Sequence, residues 1–242
     1  MALAYPAVSV VVPTRNEAGN VLELVRRLAP VLDGMQCGWE LVFADDWDDE
    51  TPQIVDELKR QGSMPVVLVH RHREERVGGL GGAVQVGFEV ARGTVLVVMD
   101  ADLQHPPEIV PLLLAPILED DVDLVSGNRY GQSAGVQGLD GLWRRYVSWG
   151  CRQLTHLLVP ASRQLSDPLS GFFAIKRSVV DGVDLRPDGY KILLEIVCRG
   201  KWSKAANINY EFRTRYAGYS KATMREGIIF IRHLLRLALA FR

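Results

Sequence analysis

The sequence predicts one α/β domain with a mostly parallel sheet and helices on both faces. Short apolar strands alternate with amphipathic helices along the first half of the chain, which is typical of this fold class. A chain of 242 residues is long enough to enclose a substantial core. Two of the predicted strands end in acidic residues, at the edge where open α/β sheets bind ligands.

Five strands are predicted from short apolar runs with turn signals at their ends, and Pro13 is expected to end the first. They span 8–12, 40–44, 66–69, 95–99 and 123–126. Helices are predicted between them from apolar residues at helical spacing, with Thr51 or Asp49 capping the second. They span 20–32, 52–60, the glycine cluster to 91, 107–118 and about 139–158.

The fourth strand carries the clearest chemical signal. It runs directly into Asp100-Ala101-Asp102, with Gln104 and His105 close behind. Two carboxylates at this spacing offer hard oxygen ligands to Mg²⁺ or Mn²⁺, with ligand phosphates completing the shell. Taken alone, the pair is equally compatible with a metal site and with a purely structural turn and helix cap.

A second acidic end and a glycine cluster bear on the nucleotide. Asp45 and Asp46 end the second strand, where an acid commonly meets ribose or base; a solvated loop is the alternative. The cluster 78–82 follows the third strand rather than the first, and its spacing does not match the dinucleotide fingerprint. This disfavours an NAD-dependent oxidoreductase and predicts a flexible turn where the backbone approaches a ligand or a neighbouring loop. A purely structural turn is an equally weighted alternative.

Composition excludes several other classes. A formal net charge of −1 gives no support for nucleic-acid binding. The cysteines have neither zinc spacing nor a disulfide framework, which favours reduced thiols. Residues 1–7 do not resemble a signal peptide, and no uncharged apolar run reaches the roughly eighteen residues of a transmembrane helix.

Seven segments together resemble known enzymes. VVPTRNE, VFADDWDDETP, MDADLQHPPE, VSGNRY and SDPLSGFFAIKR are similar to family 2 glycosyltransferases with the GT-A fold. WRRYVSWG and RYAGYSK narrow the resemblance to the dolichol-phosphate mannose synthase group and its bacterial polyprenyl-phosphate glycosyltransferase relatives. The resemblance covers nearly the whole chain, from about residue 8 to residue 221.

The resemblance implies roles for individual residues. The expected nucleotide-sugar contacts are Pro13, Arg15, Glu17, Asp45, Asp100 and Ala101. Lys191 is added to them for its positive potential. The expected metal positions are Asp100, Asp102 and Gln104. The expected lipid-phosphate positions are Arg129, Arg144 and Ser148. The expected catalytic residues are Asp102, Arg129, Arg215 and Lys221. Arg215 and Lys221 are expected on a loop that closes over the donor.

Three positions depart from the family pattern. Arg15 stands where the family usually has tyrosine, Tyr219 replaces a glutamate, and Trp47 replaces a small residue. Asp167 is a weak candidate for the acceptor side, with a simple turn as the alternative. The role of Glu195 is left open.

The expected reaction is metal-dependent, inverting transfer of a hexose to a polyprenyl (dolichyl-type) monophosphate. Mannose from GDP-mannose is the leading expectation, and glucose from UDP-glucose or binding without transfer are the alternatives. A divalent ion would act as a Lewis acid for the leaving diphosphate. The acceptor phosphate, with a second pKa of roughly 6, needs orientation rather than a strong catalytic base.

The C-terminal stretch 223–242 is predicted to be an amphipathic helix following a glycosyltransferase domain at 1–222. Apolar residues fall on one face, namely Ile228, Ile231, Leu235 and Leu239, and arginines fall largely on another, namely Arg225, Arg232 and Arg236. Such a helix is able to lie on an anionic membrane; packing on the domain's own core or on a partner subunit is the alternative. The expected location is peripheral, on the cytoplasmic side of a membrane, with a membrane-spanning partner or a further C-terminal segment as a possible addition.

Overall fold

A computed structural model describes residues 6–46, 49–62, 64–131, 142–218 and 223–241, with the side chains of 142–145 left out. These residues contain one seven-stranded sheet. Its strands, in chain order, are β1 Val8–Thr14, β2 Trp39–Asp45, β3 Val66–His70, β4 Val95–Val98, β5 Leu124–Asn128, β6 Phe173–Lys176 and β7 Ala205–Asn209. The five predicted strands all exist, and β6 and β7 are additional.

The strand order is β3-β2-β1-β4-β6-β5-β7. All neighbouring pairs are parallel except those of β6, which is antiparallel to both β4 and β5. The mostly parallel sheet is therefore confirmed. The chain builds outward from β1 through β2 to β3 and then returns to place β4 on the other side of β1, which creates a topological switch point.

Seven α-helices lie in the described residues. They are α1 Ala18–Asp33, α2 Thr51–Arg60, α3 Gly79–Val90, α4 Val110–Leu118, α5 Leu142–Leu158, α6 Ile192–Arg199 and α7 Met224–Ala240. The helix predicted from residue 107 begins as a 3-10 turn, Pro107–Ile109, before α4. The predicted start of α5 near residue 139 lies outside the described residues.

Helices cover both faces of the sheet, as predicted. One core packs α1, α2 and α4 against one face, with Leu24 and Leu113 among its fully buried side chains. A second core packs α3 and α6 against the other face, with Val84 and Leu193 fully buried there. Strands β1, β2 and β4 are buried on both sides, which explains their nearly continuous apolar sequences.

Pro13 does not end β1, contrary to the expectation. The strand continues to Thr14, and Pro13 lies opposite Ala44 of β2. On the other side of β1, the pairing with β4 reaches only Val11. A proline is tolerated at this position because no ladder on that side requires its missing N–H.

The glycine cluster is not a free turn but forms the first turn of α3. Gly78 precedes the helix with φ of 78°, a left-handed conformation that favours glycine. A Cβ on Gly82 would lie 2.0 Å from the Val77 carbonyl oxygen and 2.8 Å from Arg71 Nη1. The close backbone approach is therefore made to a neighbouring loop, one of the predicted alternatives.

Helix α7 packs against the rest of the molecule through one face. Its Phe230, Leu234 and Leu237 join Leu194 of α6 and Leu169 in a third apolar cluster. The predicted apolar face is not this one: Ile228, Ile231, Leu235 and Leu239 are all exposed. Helix α7 therefore packs on the core through one side and exposes a second apolar face on the other side. The division of the chain after residue 222 stays a prediction.

Candidate active site

The predicted site residues gather at the carboxyl ends of β1 and β4, beside the switch point. Strand β1 leads into Glu17 at the start of α1, and β4 leads into the loop 99–106. Parallel neighbours end at the same edge of the sheet, so the two segments face each other there. The fold thus brings the Asp-x-Asp loop next to the expected nucleotide-binding segment.

The Asp-x-Asp loop is held by its own hydrogen bonds. The Gln104 N–H donates to Asp102 Oδ1 at 3.0 Å, and the Asp100 N–H donates to His105 Nδ1 at 3.1 Å. The His105 ring stacks on Phe172 with 5.0 Å between centroids. Burial lowers the pKa of His105 to about 4, so the ring is neutral and accepts at Nδ1. His105 is therefore a hydrogen-bonded loop residue.

Both carboxylates of the loop have shifted protonation equilibria. Burial raises the pKa of Asp100 to about 6, against the opposing charges of Lys191, Arg215 and Arg129. Burial and the neighbouring charge of Asp100 raise the pKa of Asp102 to about 6 as well. Both neighbouring carboxyl groups are therefore harder to ionise than an ordinary aspartate, although cations surround them. Because an additional positive charge would stabilise their ionised forms, the site favours binding of a cation.

Arg215 already supplies a positive charge to these oxygens. Its Nη2 lies 2.8 Å from Asp102 Oδ2 and donates to Gln104 Oε1 at 3.3 Å. Its Nη1 lies 4.0 Å from Glu17 Oε1. The guanidinium thus stands where oxygens of Asp102 and Gln104, two of the predicted metal positions, converge on one cation.

The residues present fit a divalent ion when ligand oxygens complete its shell. In the described part of the chain, no three His, Cys, Asp or Glu side chains cluster closely enough to hold a metal by themselves. Asp100, Asp102 and Gln104 provide two carboxylates and an amide oxygen, and Mg²⁺ commonly takes one or two carboxylates together with substrate phosphates. The set suits a metal–diphosphate complex better than a metal alone.

The expected nucleotide contacts surround the end of β1. Pro13 and Asp45 are buried, and Arg15 is exposed. Asp45 accepts a hydrogen bond from the Thr14 hydroxyl at 2.7 Å and lies 3.4 Å from His70 Nδ1. Burial raises the pKa of Asp45. Its carboxylate therefore also has a role inside the protein, which the sequence pattern did not indicate.

Arg129 forms an ion pair with Asp167. Nε and Nη2 of Arg129 donate to the two carboxylate oxygens at 2.7 and 3.3 Å, and Asp167 has no exposed surface. Burial alone would lower the pKa of Arg129, but the Asp167 charge raises it above its ordinary value. The pair orients Arg129 rigidly beside the loop that carries Asp100.

Tyr130 links the residues predicted for the lipid phosphate. Its hydroxyl forms a short hydrogen bond with Ser148 of α5, and the Arg129 guanidinium lies 5.6 Å from its ring centroid. Arg152, one turn after Ser148, lies 4.7 Å above the same ring. Sequence reasoning missed Tyr130 and Arg152, although the spacing of four residues from Ser148 to Arg152 was a usable signal.

Lys191 closes the site from the start of α6. Its Nζ donates to the Leu169 carbonyl oxygen at 2.7 Å and lies 4.4 Å from the Tyr190 ring centroid. Burial and the charge of Arg129 lower the pKa of Lys191 to about 8. Ala101 is buried within the Asp-x-Asp loop.

Some predicted residues fall outside the described part of the chain. Trp47, Tyr219 and Lys221 are among the residues left out, and Arg144 belongs to the start of α5, whose side chains are left out. Glu195 is buried and bonds to Arg199 and His233, which gives it a structural role.

A sheet of this order with an Asp-x-Asp loop at the switch point defines a GT-A glycosyltransferase fold. The family model described as glycosyl transferase family 2 matches residues 9–183, and the chain belongs to that family. The resemblance stated from the sequence is thereby confirmed.

Relatives and solved structures agree with this assignment. The chain is 39% identical to a dolichol-phosphate mannosyltransferase of Pyrococcus furiosus, covering 95% of this chain and 63% of that protein. It is 34% identical to one of Saccharomyces cerevisiae, covering 95% and 85%. The fold is similar to mannosyl-3-phosphoglycerate synthase from Rubrobacter xylanophilus, with a TM-score of 0.70 and 19% identity over 96% of this chain and 73% of that one.

A further similar fold has been solved with ligands. Glucosyl-3-phosphoglycerate synthase from Mycobacterium tuberculosis, in complex with Mn²⁺, UDP-glucose and glycerol 3-phosphate, gives a TM-score of 0.64 at 20% identity, over 97% of this chain and 79% of that one. The chain spans less than two thirds of the length of the Pyrococcus furiosus relative.

Proposed function

We propose that this glycosyltransferase moves mannose from GDP-mannose to a polyprenyl (dolichyl-type) monophosphate at a membrane surface, with inversion and with Mg²⁺ or Mn²⁺. The observation that carries the proposal is the ring of cations around the Asp-x-Asp loop. Arg215, Lys191 and Arg129 all act on the Asp100 carboxylate, which suits a site that binds phosphate groups on both donor and acceptor.

The names of the relatives support the sugar and the acceptor. The relatives from Pyrococcus furiosus, Saccharomyces cerevisiae and Mycosarcoma maydis are named dolichol-phosphate mannosyltransferase. A fourth, from Pseudomonas savastanoi, is named undecaprenyl-phosphate 4-deoxy-4-formamido-L-arabinose transferase and is 31% identical over 74% of this chain. A polyprenyl phosphate is common to all four names, so the acceptor class is better supported than the sugar.

On the donor side, the chain would bind a nucleoside diphosphate that leaves with added negative charge. A divalent ion held by Asp100, Asp102 and Gln104 would supply Lewis-acid assistance to that leaving group. Lys191 and Arg215 add positive potential on the same side of the loop. Charge on the leaving diphosphate, rather than proton transfer, is therefore what these residues stabilise.

On the acceptor side, Arg129 and Ser148 would orient a phosphate monoester for direct attack on the sugar carbon. Arginine presents a planar fork that matches phosphate oxygens, and the Asp167 pair fixes the direction of that fork. A phosphate whose second pKa is roughly 6 is largely ionised at neutral pH. One in-line displacement without a catalytic base inverts the anomeric carbon.

A lipid acceptor requires contact with a membrane, and the exposed sides of α5 and α7 suit it. The two helices contact each other. Their exposed large apolar residues are Tyr146, Val147, Trp149, Leu157, Met224, Ile228, Ile231, Leu235 and Leu239. The exposed Arg225, Arg232 and Arg236 lie beside them on α7, as in helices that bind anionic interfaces. No helix in the described residues is long and apolar enough to cross a membrane.

The experiment that tests the proposal is transfer of labelled sugar to a short polyprenyl phosphate. GDP-mannose and UDP-glucose are supplied in parallel, each with Mn²⁺ or with chelator. Product from GDP-mannose that disappears with chelator is the expected result. Product from UDP-glucose alone would overturn the donor assignment, and transfer that persists in chelator would overturn the metal dependence.

A matched pair of variants sharpens the assay. Asp102→Asn removes a metal ligand, and a loss of about 10² to 10³ in turnover is expected for such a group. Glu108→Gln alters a nearby exposed carboxylate that pairs only with Arg213 among the described contacts, and it should keep normal turnover. Similar turnover in the two variants would remove Asp102 from the metal site.

A further inference from the structure

A short segment of the chain, residues 213–217 (the strap), is hydrogen-bonded to the backbone of the Asp-x-Asp loop. The Arg213 N–H donates to the Gln104 carbonyl oxygen at 3.1 Å, and the Gln104 side-chain amide donates back to the Arg213 carbonyl oxygen at 3.1 Å. The Tyr216 N–H donates to the Asp102 carbonyl oxygen at 3.0 Å. These bonds fix the backbone on both sides of Thr214 and Arg215, which lie between them.

With the backbone held on either side, the Arg215 side chain points into the Asp-x-Asp loop. It forms an ion pair with Asp102 Oδ2 at 2.8 Å and a hydrogen bond with Gln104 Oε1 at 3.3 Å. Only 22% of the Arg215 side chain and 5% of the Asp102 side chain are exposed. The pair is thus largely shielded from solvent, and its attraction is stronger than that of a surface pair.

We propose that Arg215 is an internal counter-cation that competes with the divalent metal for Asp102 until a diphosphate takes the guanidinium. The inference rests on the metal site of the proposed function and concerns the control of that site. One carboxylate oxygen cannot accept the guanidinium at 2.8 Å and also bind a metal in the same direction, because two cations would then stand in contact.

The diphosphate resolves this conflict. When the metal binds Asp102 alone, the partly buried Arg215 loses the acid at 2.8 Å and, among the described acids, keeps only Glu17 at 4.0 Å, and this opposes metal binding. When a nucleoside diphosphate binds as well, its oxygens provide a new bidentate partner for the guanidinium. Metal and diphosphate then favour each other's binding through Arg215, in addition to their direct contact.

The test is the affinity for Mn²⁺ alone, without nucleotide, at pH 8, followed by the electron paramagnetic resonance signal of free Mn²⁺. Arg215→Gln is expected to bind Mn²⁺ about fivefold to tenfold more tightly than the native protein, the range of a partly shielded ion pair. Arg215→Lys keeps the charge but loses the planar fork, so it should tighten binding by about twofold to threefold.

Arg213→Gln is the matched control. Arg213 lies two residues away on the same strap, but its side chain pairs with the exposed Glu108 at 2.9 Å. Its Mn²⁺ affinity should stay within about twofold of the native value. Circular dichroism spectra establish that each variant is folded, and Arg215→Lys serves as the test if Arg215→Gln is not.

Two outcomes would overturn the inference. One is Mn²⁺ binding to Arg215→Gln that is equal to or weaker than native binding, which would make Arg215 a support of the metal loop. The other is an absence of Mn²⁺ binding in every variant. The Mn²⁺ assay contains no sugar and no acceptor, so its result is independent of whether the proposed transfer reaction is correct. Tighter Mn²⁺ binding to Arg215→Gln combined with no transfer from GDP-mannose would keep the role of Arg215 and overturn the assignment of GDP-mannose as donor.

Discussion

His233 Nε2 lies 2.7 Å from Glu195 Oε2, and neither side chain has any exposed surface. His233 Nδ1 lies 3.0 Å from the Asp188 carbonyl oxygen, so both ring nitrogens face acceptors. Burial alone would raise the pKa of Glu195, but bonds from His233 and the Arg186 N–H lower it. The pair links α7 to α6 through a buried hydrogen bond as well as through apolar packing.

Loss of this pair should destabilise the protein. His233→Gln is expected to lower the free energy of unfolding by about 1 to 3 kcal/mol, because Glu195 Oε2 loses its buried partner while Oε1 keeps Arg199. Urea denaturation monitored by circular dichroism measures the change.

The neighbouring Arg232 provides the control. It pairs with Asp188 at 2.6 Å, but its side chain is 71% exposed, and Arg232→Gln should cost at most about 1 kcal/mol. Equal effects of the two variants would mean that the buried pair adds nothing beyond a surface contact.

The Arg129–Asp167 pair leads to a prediction about the acceptor. Arg129→Lys keeps a charge opposite the buried Asp167 but removes the fork that would hold a phosphate. We expect the KM for polyprenyl phosphate to rise about tenfold while the KM for GDP-mannose stays within about twofold, a difference of about 1.4 kcal/mol. Steady-state transfer with each substrate varied in turn measures both constants.

The choice of lysine matters, because alanine at this position would leave Asp167 buried without a partner and would confound binding with folding. Arg163→Lys is the control, since Arg163 is exposed and its Nε donates to the His156 carbonyl oxygen. An equal rise in KM for donor and acceptor would move Arg129 out of the acceptor site.

The exposed face of α7 gives a prediction about membrane binding. Replacing Ile228 and Leu239 together by aspartate should weaken binding to vesicles of phosphatidylcholine and phosphatidylglycerol by at least about tenfold, because each apolar side chain contributes up to about 1.5 to 3 kcal/mol when buried. Sedimentation with the vesicles measures bound and free protein.

Two aspartates on the other side of the sheet control for the added charge. Leu22 of α1 and Leu112 of α4 are also exposed, but their helices pack on the opposite core. Leu22→Asp with Leu112→Asp should leave vesicle binding nearly unchanged. A similar loss in both double variants would attribute the effect to charge and would argue against a membrane-binding face on α7.

Local patterns predicted most of the sheet and the Asp-x-Asp loop. The strand ending at Asp100 could be recognised because a buried strand of a parallel sheet is continuously apolar and its end is abruptly polar. Strand β7 was missed because its sequence, Ala205–Asn209, is only half-buried and contains two asparagines, so it lacks the apolar run that marks the central strands.

Pairings between distant residues could not be predicted in the same way. Arg129 and Asp167 are 38 positions apart, and His233 and Glu195 are also 38 apart. Nothing in local spacing selects one acid among many as the partner of a given base. The contact between Arg215 and Asp102 likewise joins two segments that are far apart in the sequence, the strap and the Asp-x-Asp loop.

The raised pKa values of Asp100 and Asp102 predict how Mn²⁺ binding depends on pH. Both values are about 6, above the ordinary range of aspartate, so the neutral forms are favoured as the pH falls through 6. A metal binds the ionised carboxylates and must displace the protons. Affinity should therefore be constant well above pH 6 and fall below it, by about tenfold per pH unit for each proton displaced.

The same shifts have the opposite sign for the stability of the metal-free protein. A carboxyl group whose pKa is raised by folding favours the folded state at low pH, and this contribution is lost as the pH rises through about 6. As the pH falls from about 6 to about 4, these two groups should thus increasingly stabilise the metal-free protein, while Mn²⁺ binding weakens. Titrations of Mn²⁺ at pH 5, 6, 7 and 8, with Asp102→Asn to remove one of the two protons, distinguish the contributions. An affinity that does not change across this range would show that neither carboxylate binds the metal.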